Sequence, residues 1–178
     1  MIRPNRGRIN VPRETLDIKP VDGRECGSCT KCCEGYLRGK IGNTEMGLPT
    51  DNPYKPTPCY FLVEGRGCGI YKKRPIDPCR SYMCDWLMNP EIPEELKPEI
   101  SQVIPSQKRT PNGHTYLEII EAGQKMDPNV LSWYITYAMN KRINFLWVLQ
   151  DGGARFIGNQ QFCQEADYLL RTQGSIQS

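Results

Sequence analysis

The chain has 178 residues, enough for one domain or a domain with a smaller lobe. Its 23 basic and 20 acidic side chains leave a formal charge of +3, too little to call for a nucleic-acid partner. The longest wholly apolar runs, Cys59–Val63 and Phe145–Leu149, fall far short of the roughly 20 residues of a membrane helix, so no membrane association is expected.

Residues 1–22 carry Arg3, Arg6, Arg8 and Arg13 between Pro4 and Pro12 and read as a flexible basic arm. The opening MIRPNRGRIN holds no apolar stretch of the signal-peptide kind, so the expected setting is the cytoplasm, where thiols stay reduced. That matters because the chain has nine cysteines, eight of them between Cys26 and Cys84. The single histidine, His114, excludes multi-histidine metal sites and leaves little room for Ser-His-Asp chemistry.

Residues 23–89 form the cysteine-rich region. Cys26-Gly27-Ser28-Cys29 and Cys29-Thr30-Lys31-Cys32 are overlapping C-x-x-C steps, followed at once by Cys33. A C-x-x-C step lets two sulfurs converge on one ion, and Gly27 permits the tight turn between them. On a regular helix Cys26 and Cys33 would stand about 10.5 Å apart along the axis, more than one zinc with sulfurs at about 2.3 Å can span. Either this segment is not one straight helix, or its cysteines serve more than one ion. Residues 35–58, with Gly39, Gly42, Gly47, Pro49, Pro53, Pro56 and Pro58, read as a loop. Cys59–Val63 then reads as a strand, Glu64–Gly67 as a turn and Cys68–Tyr71 as the return strand. In that register Cys68 faces Val63, and Cys59 lies about 13 Å away, which would give Cys59 and Cys68 to different ions unless the hairpin is irregular. Asp77-Pro78 reads as an N-cap and first-turn proline, with a helix running from Cys79 to Met88. Cys79 and Cys84 would then point about 140° apart.

Eight thiolates, Cys26, Cys29, Cys32, Cys33, Cys59, Cys68, Cys79 and Cys84, suit two four-coordinate sites or one bridged cluster. Two zinc ions so held leave about four negative charges, which Lys31, Arg66, Arg74 and Arg80 are placed in sequence to offset. Disulfides in an oxidising compartment, and ordinary surface roles for the four basic residues, are the competing readings. The adopted cofactor is zinc, with iron or an iron–sulfur cluster as the alternative. The C-x2-C-x2-C run matches the first three ligands of a bacterial ferredoxin; Cys33 follows at once in place of the x3-Cys-Pro fourth ligand, which a remote cysteine such as Cys59, Cys68 or Cys79 could replace.

The run Cys26-x2-Cys29-x2-Cys32-Cys33, then Cys59-x8-Cys68-x-Ile70-Tyr71-x2-Arg74-Pro75-x3-Cys79-Arg80-x-Tyr82, resembles the YkgJ-like cysteine-cluster family over residues 23–85. The resemblance implies a zinc- or iron-chelating domain with ligands at the matched cysteines. It implies no reaction, although some relatives are described as flagellin lysine N-methylases. Such an iron–sulfur or methyl-transfer enzyme is the alternative to a largely structural metal site, and an adaptor or nucleic-acid module that uses the basic arm is a third reading.

Residues 90–178 read as α+β. Pro90, Pro93, Pro98 and Pro105 leave space for one short helix at most in 90–105. Thr110-Pro111-Asn112-Gly113 is a turn, and Thr115–Ile120 a strand. Asp127-Pro128 starts a helix with Leu131, Tyr134, Ile135 and Ala138 on one face. Ile143–Leu149 reads as a central strand, and Asp151-Gly152-Gly153 turns it into Ala154–Ile157. Asn159 caps a last helix with Phe162, Ala166, Leu169 and Leu170 inward, ending at Gly174. Trp133, Tyr134, Trp147 and Cys163 read as core, and His114 as exposed. The expected architecture is a small Cys-rich, metal-bound lobe followed by an antiparallel sheet packed with two helices. The expected partners are metal ions, with a protein partner left open.

Overall fold

The computed structural model describes residues 20–36, 39–41, 44–46 and 57–173. The basic arm up to residue 19, the proline-rich stretch 47–56 and Gly174 lie outside the described residues. The chain is α+β. Two short ribbons come first: β1 (Gly39–Ile41) pairs antiparallel with β2 (Thr44–Met46), and β3 (Leu62–Val63) with β4 (Gly67–Cys68). The β1–β2 ribbon falls within the segment expected to be loop. Two one-turn helices follow, α1 (Asp85–Met88) and α2 (Pro98–Ser101).

The main sheet has four strands in the order β5 (Val103–Arg109), β6 (Thr115–Glu121), β7 (Asn144–Val148) and β8 (Ala154–Ile157). It is mixed, which corrects the antiparallel sheet expected from sequence. β5–β6 and β7–β8 are antiparallel, but β6–β7 is parallel, with Leu117 beside Phe145 and Ile119 beside Trp147. The reason is the intervening helix α3 (Pro128–Lys141). A helix of 14 residues spans the sheet and returns the chain to the end where β6 began, so β7 must run alongside it.

β5 is the strand the sequence concealed, because Pro105 lies within it. Its place at the sheet edge explains the tolerance, since an edge strand can lack one ladder donor. Thr110–Gly113 turns β5 into β6, through Gly113 N–H donating to the Thr110 carbonyl at 2.9 Å.

The two faces of the sheet bury separate cores. Leu117, Ile119 and Phe145 pack with Tyr134 and Ala138 of α3 and with Trp86 and Leu87 of α1. Tyr116 and Leu146, on the other face, pack with Phe162, Ala166 and Leu169 of α4 (Gln160–Gln173). Both long helices start as their sequences predict. The Asp127 carboxylate accepts the Asn129 N–H at 2.7 Å, and the Asn159 side-chain oxygen accepts the Phe162 N–H at 2.9 Å. Tyr134 is buried, while Trp133 and Trp147 are half-buried against the same core. No helix of the described residues is long and apolar enough to cross a membrane.

The cysteine-rich segment lies against the α3 face. Cys84 is part of that buried core, and Cys26, Cys32 and Tyr82 pack onto it.

Candidate metal centre

Residues 26–34 are not one straight helix. Cys26–Cys29 is a tight turn, closed by Cys29 N–H donating to the Cys26 carbonyl at 2.8 Å, with Gly27 at φ +54°. A 3-10 turn, Lys31–Glu34, follows and ends at Gly35 with φ +111°. Neighbouring side chains on a 3-10 turn point about 120° apart. Cys32 and Cys33, adjacent in sequence, are therefore sent toward different neighbours.

The β3–β4 hairpin is irregular. Cys68 pairs with Leu62 and Gly67 with Val63, so the loop has one residue fewer than expected and Cys68 does not face Val63. Arg66 N–H donates to the Val63 carbonyl at 3.0 Å, and Gly65 and Gly67 both have positive φ, which suits a three-residue hairpin loop. Cys59–Phe61 is a turn, not a strand: Leu62 N–H donates to the Cys59 carbonyl at 2.9 Å. That turn folds Cys59 back toward Cys68, and Cys59 N–H donates to the Cys33 carbonyl at 2.8 Å. The extended geometry that would separate Cys59 from Cys68 is absent.

The helix expected from Cys79 to Met88 is also divided. Ile76–Arg80 is a π-helical turn, Tyr82 and Met83 belong to no regular element, and α1 begins only at Asp85 with the extended Cys84 as its N-cap. The break lets Cys79 and Cys84 serve different neighbourhoods without a helical phase between them.

All eight predicted cysteines line one cavity of about 70 Å³, walled by Phe61, Ile70, Tyr71, Tyr82 and Trp86. Within it the thiols divide by what surrounds them. Burial pushes the Cys32 thiol well up, and the cysteines that add to this are Cys84 first, then Cys29, Cys33 and Cys26. Burial pushes Cys33 up to about 12, and its contributing cysteines are Cys59, Cys68 and Cys79, then Cys26. Burial pushes Cys84 up to about 11, with Cys26 and Cys29 adding. Cys84, Cys29 and Cys26 thus act on Cys32, and Cys59, Cys68 and Cys79 on Cys33, while Cys33 also acts on Cys32 and Cys26 on Cys33.

Backbone donors oppose the burial. The Lys31 N–H favours the Cys29 thiolate, and the Leu87 and Trp86 N–H groups favour that of Cys84, although Cys84 closes no capping hydrogen bond in α1. N–H groups directed at sulfur suit anionic sulfur, which is the form that binds metal. No disulfide links any of the nine cysteines. As the side chains stand, no three His, Cys, Asp or Glu among the described residues are arranged to hold a metal ion.

The basic residues sort differently from expectation. Arg74 lines the cavity, its guanidinium 3.7 Å from the Tyr71 ring centre. Lys31 pairs with Glu34 at 3.0 Å, and Arg66 and Arg80 are exposed. Two further residues beside the cysteines carry no local sequence signal. Lys97, paired with Glu99 at 2.6 Å, lends positive charge to Cys29. Arg24 is 9 % exposed and donates to the carbonyls of Trp86, Asn89 (2.8 Å) and Ile92 (2.6 Å). It fastens the first cysteine turn to the segment that carries Cys84. His114 lies outside the cavity, Nε2 3.9 Å from Glu165, and is half-buried. Cys163 is half-buried against the α4 core and donates to the Gly158 carbonyl at 3.6 Å.

No family model, curated protein or solved structure matches this chain.

Proposed function

We propose that the chain is a metal-binding protein whose eight cysteines hold two ions. Cys26, Cys29, Cys32 and Cys84 hold one, and Cys33, Cys59, Cys68 and Cys79 the other. The observation that carries this reading is the convergence of all eight thiols, from five separate chain segments, on one small cavity. Four thiolates are the usual complement of a closed structural zinc site, and two such sites use every cysteine of the cluster. Binding requires small movements that close each set of four sulfurs, as metal sites that form together with the fold commonly do. The resemblance to the YkgJ-like family supports chelation at the seven cysteines of the matched run, Cys26 to Cys79, and not at Cys84.

The cavity size bears on the alternative. Sites for organic cofactors measure roughly 300–1,000 Å³, whereas this one is about 70 Å³. Ions fit among the thiols, which supports the structural-metal reading of this cavity. A set of four thiolates also suits an iron–sulfur centre, and that is the second reading. A reducing compartment such as the cytoplasm keeps eight thiols available for either.

The test is the metal content and visible spectrum of protein purified without oxygen. About two zinc per chain and no colour is the expected result. Iron with acid-labile sulfide and a brown chromophore would replace zinc by the second reading. Protein without metal that takes up neither zinc nor iron would overturn both.

A further inference from the structure

Tyr82 closes the cysteine run of the sequence yet supplies no metal ligand. It lines the thiol cavity and packs onto the core of the α3 face. Its hydroxyl shares a hydrogen bond with the Ser106 hydroxyl at 2.7 Å. Ser106 lies in β5, is 6 % exposed and stands opposite Glu118 of β6. Three residues beyond Tyr82, the Asp85 carboxylate accepts the N–H of Gln107, the next residue of β5, at 3.1 Å. On an edge strand such an outward N–H has no ladder partner of its own. Cys84 lies between these two ties. It is 5 % exposed, its backbone is extended at φ −69° and ψ 156°, and it lines the same cavity. The other seven cysteines of the cavity stand on turns and on a two-residue strand.

We propose that Tyr82 is a positioning residue of the metal centre: by clasping Ser106 on the edge strand it fixes Cys84 against the main sheet, and Cys26, Cys29 and Cys32 close on that fixed ligand. The inference rests on the two-ion reading above. The two ties are adjacent on β5 and only three residues apart on the segment that carries Cys84, so the backbone between them has little freedom to swing. A ligand held in place by its neighbours does not have to be ordered when the ion binds, and the affinity rises accordingly. Tyr82 acts on the metal only through the place it gives Cys84.

The experiment titrates the metal-stripped full chain with cobalt(II) without oxygen. The variants are Tyr82→Phe, Ser106→Ala, the two combined, Cys84→Ser and Glu165→Ala. Uptake is followed by thiolate-to-cobalt absorption and by the visible bands that report tetrahedral geometry, and folding before metal addition by circular dichroism and urea unfolding. Cys84→Ser marks the binding step to which Cys84 contributes. Glu165→Ala is the structural control, since on the α4 face it removes the acceptor of the Thr110 hydroxyl at 2.6 Å and of the Asn112 N–H at 2.9 Å. Wild type should bind two ions. Tyr82→Phe and Ser106→Ala should each weaken the Cys84 step about tenfold and alter the tetrahedral bands of that ion, with the other ion unchanged. The combined variant should lose no more than either alone, because the two changes break one hydrogen bond. Glu165→Ala should unfold at lower urea and yet keep both affinities and all bands.

Unchanged affinity and bands in Tyr82→Phe and Ser106→Ala would overturn the inference while leaving the two-ion reading intact. So would a loss shared equally by both ions, or the same loss in Glu165→Ala, since either makes the tie a matter of stability alone. If one of the two single variants does not fold, the other decides; failure of both to fold before metal addition would make the tie structural and overturn the inference too. A wild-type chain that binds no cobalt would overturn the two-ion reading and this inference together.

Discussion

At the scale of single residues, the thiols and one arginine govern behaviour. Burial raises Cys33 to about 12 and Cys84 to about 11, against a usual thiol value of about 8.5. In metal-stripped protein the folded state then binds protons that the unfolded chain gives up. That stabilisation is complete below the usual thiol range and is lost as pH rises through these higher values. Urea midpoints of stripped protein should therefore fall from about pH 8 to about pH 10, and those of metal-loaded protein should fall less. Equal slopes for the two forms would count against thiolate ligation. Arg24→Met should cost about 2–4 kcal/mol, since it leaves the Trp86, Asn89 and Ile92 carbonyls short of a charged donor. A urea midpoint within error of wild type would refute that role. The cysteine spacing and Gly27 made the first turn legible in sequence, but nothing adjacent marked Arg24, because its acceptors lie more than 60 residues away.

At the scale of elements, capped and periodic segments formed as read, and segments shaped by distant contacts did not. α3 and α4 start at Asp127 and Asn159 because those side chains cap their own first turns, a local matter. The apolar spacing of Leu131, Tyr134, Ile135 and Ala138 faces the core for the same reason. The division of residues 76–88 was not legible, because the order of residues favours a helix there. The N-cap position of Cys84 and the burial of Trp86 and Leu87 start α1 at Asp85 instead. Another long-range tie holds the β5–β6 turn. The Glu165 carboxylate of α4 accepts the Thr110 hydroxyl at 2.6 Å and the Asn112 N–H at 2.9 Å. Glu165→Ala should lower stability by about 1.5–3 kcal/mol and loosen that turn. Thermal unfolding with amide exchange at Asn112 and Gly113 checks it, and unchanged exchange would refute the tie.

At the scale of the whole molecule, the sheet carries two apolar cores, whereas the cysteine region rests on two-residue strands and single turns. Structural zinc can supply on the order of 10–16 kcal/mol, enough to hold together turns that contribute only their edge residues to the sheet's core. Chelation should therefore release residues 23–34 and 57–83 to rapid amide exchange while β6 and β7 stay protected. Exchange that rises uniformly along the chain, or does not rise at all, would contradict this division. Sequence by itself determined the α+β class, the two long helices, the β6 and β7 strands and the eight cysteines of the candidate centre. These are written in local spacing, in caps and in the chemistry of one residue type. Only the tertiary structure decided the parallel pairing of β6 with β7, the place of β5 despite Pro105, the folding back of Cys59 and the convergence of the eight cysteines on one cavity. Each depends on which remote segments meet, and a chain's local pattern does not encode the direction from which its partner arrives.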